Sequence, residues 1–162
     1  MPRVELLAPA KNLKAIKAAS KYADSVYFGI EKFNMRMRSE NFALQDLGKV
    51  TKYCHDNNLK VYLATNILVY DNELDLLRTI ITRSKEAGVD AVIVHDVAAI
   101  EIAKEVDISY HISTQCNVSN SLSARFYENL GAERIILARE LSLEKIKEIK
   151  RNLYKYFYFR LI

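Results

Sequence analysis

The sequence predicts an α/β protein: an incomplete (β/α) barrel of the TIM-barrel kind, with six βα units and a seventh strand. Three observations lead there. Short apolar runs alternate with longer amphipathic stretches from end to end, the order that parallel crossover connections produce. The apolar runs are continuous, as they are where both faces of a parallel sheet are buried. A short pattern also recurs where helices give way to strands. It reads Ala23-Asp24-Ser25-Val26-Tyr27, Val89-Asp90-Ala91-Val92-Ile93 and Ala132-Glu133-Arg134-Ile135-Ile136, each time an acid ahead of β-forming residues.

The elements follow in order. A strand is expected over 4–7. Asn12 is placed to cap a helix running to Lys21, with Leu13, Ile16 and Ala19 on one face. The second strand is 25–28. Leu44, Leu47, Val50 and Tyr53 or Cys54 recur at spacings of three and four, which predicts a helix over 44–57. A third strand covers 60–65. Asp71 is the expected cap of a helix carrying Leu74, Leu77, Ile80 and Ile81 and closed by Gly88. Then come a strand over 91–94, a helix over 97–104, a strand over 108–112 and a helix over 119–130 stopped by Gly131. A strand over 134–137 precedes a helix capped by Ser142 and running to Arg151. The seventh strand is expected over 156–161.

A doubly wound sheet is the competing architecture. It calls for a glycine-rich phosphate turn after the first strand, but that turn reads Ala8-Pro9-Ala10-Lys11-Asn12. A complete barrel takes eight units and roughly 250 residues. The expectation is therefore a single barrel-like domain over 1–162 that is truncated at its C-terminus.

Composition narrows the function classes. The chain has 162 residues, half of them hydrophobic and 27% charged, with four glycines and two prolines. That composition supports a packed core and excludes disorder and collagen-like repeats. No apolar run approaches the ~18 residues of a membrane span, and Glu5 and Pro9 interrupt any signal-peptide core. Two cysteines are too few for a disulfide framework, so a reduced, cytoplasmic protein is expected. The net charge of +4 sits in the tail: from Arg134 onward there are eight basic and three acidic residues. Lys145, Lys147, Lys150 and Arg151 read as a solvated helix face or, alternatively, as a contact for a polyanion such as RNA.

Barrel chemistry gathers at the C-terminal ends of the strands, and those ends are polar here. The segment after the second strand holds Asn34, Arg36, Arg38 and Asn41; Asn66 follows the third, and His95 and Asp96 the fourth. His111, Ser113, Thr114, Gln115, Cys116 and Asn117 belong to the fifth, Arg139 and Glu140 to the sixth. Arg36 and Arg38 suit a bidentate grip on a carboxylate or phosphate, or are loop residues in solvent. His95 and Asp96 read as a base with its orienting acid, or Asp96 as a helix cap. His111 reads as a hydrogen-bonded core histidine. Ser113, Thr114 and Gln115 offer three side chains that could fix a polar ligand, or a cap. Arg139 and Glu140 form an ion pair or a ligand clamp. Cys116 reads as a thiolate or as a small buried hydrophobe. The nucleophile elbow, zinc-helix and phosphate-loop signatures are missing.

These strand-end segments resemble a known family. Glu5-Leu-Leu-Ala-Pro-Ala10, Val26-Tyr-Phe-Gly29, Phe33-Asn-Met-Arg-Met-Arg38, Asn41-Phe42, Ser113-Thr-Gln115 and Leu137-Ala-Arg-Glu-Leu141 are similar, in that order, to the collagenase-like peptidase family U-32, of unknown catalytic type. The resemblance runs over about 4–150 and covers that family's N-terminal barrel segment. Lys11 stands where the family usually has glycine, and the match fades after Arg151. The resemblance implies proteolysis by the family's name. For several members it implies instead oxygen-independent hydroxylation of RNA or of ubiquinone precursors, with prephenate as oxygen donor and a [4Fe–4S] cluster. The cluster's cysteines are expected only in the full-length protein, and no metal or cofactor is expected in this chain. Arg36, Arg38, Asn41, Ser113, Thr114, Gln115, Arg139 and Glu140 are the matched positions.

Three functions follow as expectations. The first is the N-terminal part of an iron–sulfur-dependent hydroxylase of RNA or a quinone-like substrate. There His95, Asp96 and Glu140 are the catalytic candidates, and Arg36, Arg38, Asn41, Asn66, Ser113, Thr114, Gln115 and Arg139 hold an anionic, prephenate-like ligand. The second is a true peptidase. The third is an inactive fragment, or a subunit that binds a separately encoded C-terminal part.

Overall fold

A computed structural model describes residues 4–31, 33–34, 41–153 and 158–160, the last three by backbone alone. Seven strands lie in chain order in one parallel sheet: β1 (Leu7–Pro9), β2 (Ser25–Phe28), β3 (Lys60–Thr65), β4 (Ala91–Val94), β5 (Tyr110–Ile112), β6 (Arg134–Ile136) and β7 (Tyr158–Arg160). Each neighbouring pair is parallel, with Val26 opposite Val61, Leu63 opposite Val92 and Ile112 opposite Ile135. The helices α1 (Leu13–Ala19), α2 (Leu47–Asp56), α3 (Leu74–Glu86), α4 (Val97–Val106), α5 (Ser121–Leu130) and α6 (Leu143–Arg151) follow the first six strands in turn.

Helix boundaries fall where a side chain or a left-handed residue sets them. Asn12 accepts from Ala15 N at 3.0 Å and opens α1. Ser142 accepts from Lys145 N and opens α6. Gly131, at φ 99°, closes α5 in a conformation that glycine adopts freely. Three expectations are corrected. Asp71 does not cap α3; it opens a 3₁₀ turn over Asp71–Glu73, and Glu73 bonds back to Tyr70 N. α5 begins two residues late, where Asn120 accepts from Ser123 N. β1 begins at Leu7, since Leu6 N is taken by the Asp24 carboxylate at 2.8 Å.

Strands β2 to β6 bury both faces. Val26, Phe28, Val61, Leu63, Val92, Val94, Ile112 and Ile135 pack outward on helix residues such as Ile16, Leu77, Ile81 and Ile100. The alternate positions Tyr62, Ala91, Ile93 and Ile136 form a second, inner cluster with Leu7 and Tyr27. The sheet is therefore curled, and one contact measures the curl. Glu5, just before β1, meets Arg134 of β6 at 2.7 Å. In a flat sheet five strand spacings would part them by about 24 Å. Among the described residues, no helix is long and apolar enough to cross a membrane.

Candidate functional site

Following the inward side chains up the strands takes the interior from a charged floor to a polar rim. At the floor, where the strands start, the Glu5 carboxylate accepts from Ser25 Oγ at 2.7 Å, Tyr62 OH at 2.7 Å and both terminal nitrogens of Arg134 at 3.0 and 2.7 Å. Burial alone would raise the Glu5 carboxyl, but the bonds from Arg134, Ser25 and Tyr62 outweigh it and hold it at about 2. Burial, and then the bond to Glu5, push the Tyr62 hydroxyl up. The Arg134 guanidinium also lies over the Tyr62 ring, 5.4 Å from its centroid.

His111 lies beside this floor, 1% exposed and edge-on to Tyr62 with ring centroids 4.6 Å apart. It is a core histidine, as one reading had it, but not a hydrogen-bonded one. Neither ring nitrogen has a hydrogen-bond partner among the described residues, and Glu133 Oε1 is 3.9 Å from Nε2. Burial lowers its pKa, so the ring is held neutral.

One inward position above His111, just past the ends of β3, β4 and β5, come Asn66, His95 and Ser113, and there the rim groups converge. Asn66 Nδ2 donates to Ser113 Oγ at 3.2 Å. Ser113, buried, accepts from Gln115 N and so shapes the 3₁₀ turn Thr114–Cys116 that carries Thr114, Gln115 and Cys116, all half-buried. Cys116 Sγ stands 3.7 Å from His95 Nδ1 and 3.6 Å from His95 O. The Tyr127 hydroxyl of α5 is beside the same sulfur. Asn41 lines an open cleft with Lys11, Asn12 and Lys14 at the head of α1.

Other candidates are dispersed. Asp96 does not orient His95: one oxygen caps α4 through Ala98 N at 2.9 Å and the other takes Val69 N at 3.2 Å. Arg139 and Glu140 are exposed and form no ion pair with each other. Arg36 and Arg38 lie outside the described residues. Cys54 is 0% exposed in the outer core, and Cys116, partly buried, packs against that same cluster. Two thiols so placed do not fit a four-cysteine cluster, and the described residues contain no group of three or more metal-ligating side chains.

Two groupings escaped the sequence reading. The floor carried a signal at one end: Arg134 stands inside a run buried on both faces, where a charge must find a partner. The His95–Cys116 contact carried none, since it joins the ends of two different strands.

Comparison with known proteins places the chain among relatives. The sequence pattern of a family described as Peptidase family U32 matches residues 11–157. An uncharacterized protease of Methanocaldococcus jannaschii is 49% identical over 156 residues, which are 96% of this chain and 38% of that protein. A collagenase of Porphyromonas gingivalis is 41% identical, over 92% of this chain and 36% of its own length. A tRNA hydroxylation protein P of Helicobacter pylori is 40% identical, over 94% of this chain and 37% of its own length. The chain thus spans little more than a third of these relatives. A solved U32 peptidase superposes with a TM-score of 0.78 at 16% identity, covering 98% of this chain and 68% of that one, which shows the shared fold.

Proposed function

The chain belongs to peptidase family U32, and from that premise we propose that it is the ligand-holding, N-terminal part of an oxygen-independent RNA hydroxylase. The observation that carries the reading is the rim itself. Asn66 and Ser113 are already bonded to each other across two strands, with Thr114 and Gln115 on the adjoining turn. Such groups fix the orientation of a small polar ligand at the mouth of a barrel. Arg36, Arg38, Asn41 and Arg139 would supply the positive and hydrogen-bonding contacts for an anionic, prephenate-like molecule. Support for RNA as the substrate comes from relatives named for hydroxylation of tRNA and of 23S rRNA. A [4Fe–4S] cluster would belong to further chain, supplied in the same polypeptide or by a separately encoded partner. This chain's two thiols do not fit such a cluster. A cytoplasmic location follows from an RNA substrate.

The test is nucleoside analysis of RNA from cells lacking the full-length protein. Loss of a hydroxylated nucleoside, restored by the wild-type gene but not by one encoding Arg36→Met and Arg139→Met, supports the reading. An unchanged nucleoside profile contradicts it. The second reading is a peptidase, as two relatives are named; the contact between Cys116 and His95 bears on it.

A further inference from the structure

We propose that Cys116 and His95 are a nucleophile–base pair, a covalent site at the C-terminal rim for an acyl donor. Three elements build it: His95 follows β4, Cys116 ends the turn after β5, and Tyr127 comes from α5. The 3.7 Å between Sγ and Nδ1 is within the reach of a hydrogen bond to sulfur, and such pairs tighten when substrate binds. Cys116 and His95 are both only partly buried. The pair stands next to the Ser113 turn, where hydrogen-bonding side chains can hold the remainder of a substrate.

The chemistry requires a base. Burial pushes the Cys116 thiol up, against the bonds from Tyr127 and the Ser113 backbone, so it rests protonated at neutral pH. Tyr127 is itself held at about 12, first by burial and then by the sulfur, and stays a donor. In the proposed step the Cys116 proton passes to His95 Nδ1 as Sγ bonds to the carbonyl carbon. The Tyr127 hydroxyl donates to the oxygen that gains charge. The adduct collapses when the bond to the leaving group breaks; that group departs with the bonding pair and takes the proton from His95. The acyl group remains as a thioester on Cys116, and water, deprotonated by the same imidazole, releases it. The inference does not rest on the hydroxylase reading and survives its failure.

The experiment uses p-nitrophenyl acetate, with iodoacetamide in parallel, and locates the modified residue by peptide mass mapping. Cys54, fully buried and pushed up to about 11 chiefly by burial, is the control within the molecule. The expected result is a burst approaching one equivalent of p-nitrophenolate, with acetylation at Cys116 and not at Cys54. His95→Gln and His95→Asn slow both reactions at Cys116 by on the order of tenfold or more. Should one histidine variant fail to fold, the other gives the reading, with melting temperatures measured for both. Acetylation confined to lysines overturns the proposal, as does a Cys116 that reacts no faster than Cys54. So does an unchanged rate in a folded His95 variant.

Discussion

Glu5 shows how one side chain can tie distant parts of the chain together. Its carboxylate gathers Ser25, Tyr62 and Arg134, the last 129 residues away. Removing one partner of a buried pair leaves the other charge uncompensated, at a cost of about 3–5 kcal/mol. Glu5→Gln is therefore expected to lower the urea midpoint strongly, and Glu5→Gln with Arg134→Met to recover part of the loss. Titration gives a second check. The Glu5 pKa falls from 4.5 to about 2 on folding, so its contribution is complete above about pH 4.5 and disappears as pH falls toward 2. His111, whose pKa burial lowers, acts with the same sign. As pH drops below about 6.5 the unfolded chain binds a proton that the folded ring refuses. Stability is expected to decline in two stages on acidification, and Glu5→Gln should reduce the more acidic one, to which Glu133, also held at about 2, contributes as well. The sequence announced that His111 is buried, but its missing partners depend on neighbours from β3 and the β6 start, which no local pattern encodes.

The recurring acid at the start of strands has a physical role at the scale of the element. Asp24 accepts from Leu6 N, and Asp90 from Val61 N at 2.7 Å, so each carboxylate satisfies an amide beside the preceding strand's start. The repeat legible in the sequence is thus a strand-pairing device; Glu133 departs from it and turns toward His111. Asp90→Ala is expected to cost about 1–3 kcal/mol by orphaning Val61 N, seen as faster amide exchange at β3. Asp96 is a second case. Because both its oxygens hold backbone amides, Asp96→Ala should lose about 1–2 kcal/mol of stability, while Asp96→Asn, which keeps one acceptor for the cap but turns an amide donor toward Val69 N, should lose part of that. Full activity in folded Asp96→Asn protein is the expected outcome; a large loss there would restore Asp96 as an acid. Boundaries set by Asn12, Ser142 or Gly131 were readable because the signal is local. The starts of β1 and α3 were not, because Asp24 and Glu73 redirect backbone bonds there.

At the scale of the molecule, continuous apolar strands and regular alternation were enough to read a parallel (β/α) array. They did not determine its curvature, which shows only in the inner cluster around Tyr62 and in the link from Glu5 to Arg134. Curvature is what turns a row of strand ends into a rim, so the polar strand ends were legible while their pairing, Asn66 with Ser113 and His95 with Cys116, was not. The basic face of α6, with Lys145, Lys147, Lys150 and Arg151 exposed, is solvated as one reading had it.

The most direct measurement is calorimetric titration of prephenate onto the chain and onto folded variants of its rim. The account predicts one site, with affinity reduced on the order of tenfold, about 1.4 kcal/mol, by Asn66→Ala, by Ser113→Ala and by Arg139→Met, and unchanged by Lys147→Ala on α6. Absence of binding, or binding indifferent to all three rim substitutions, would contradict it.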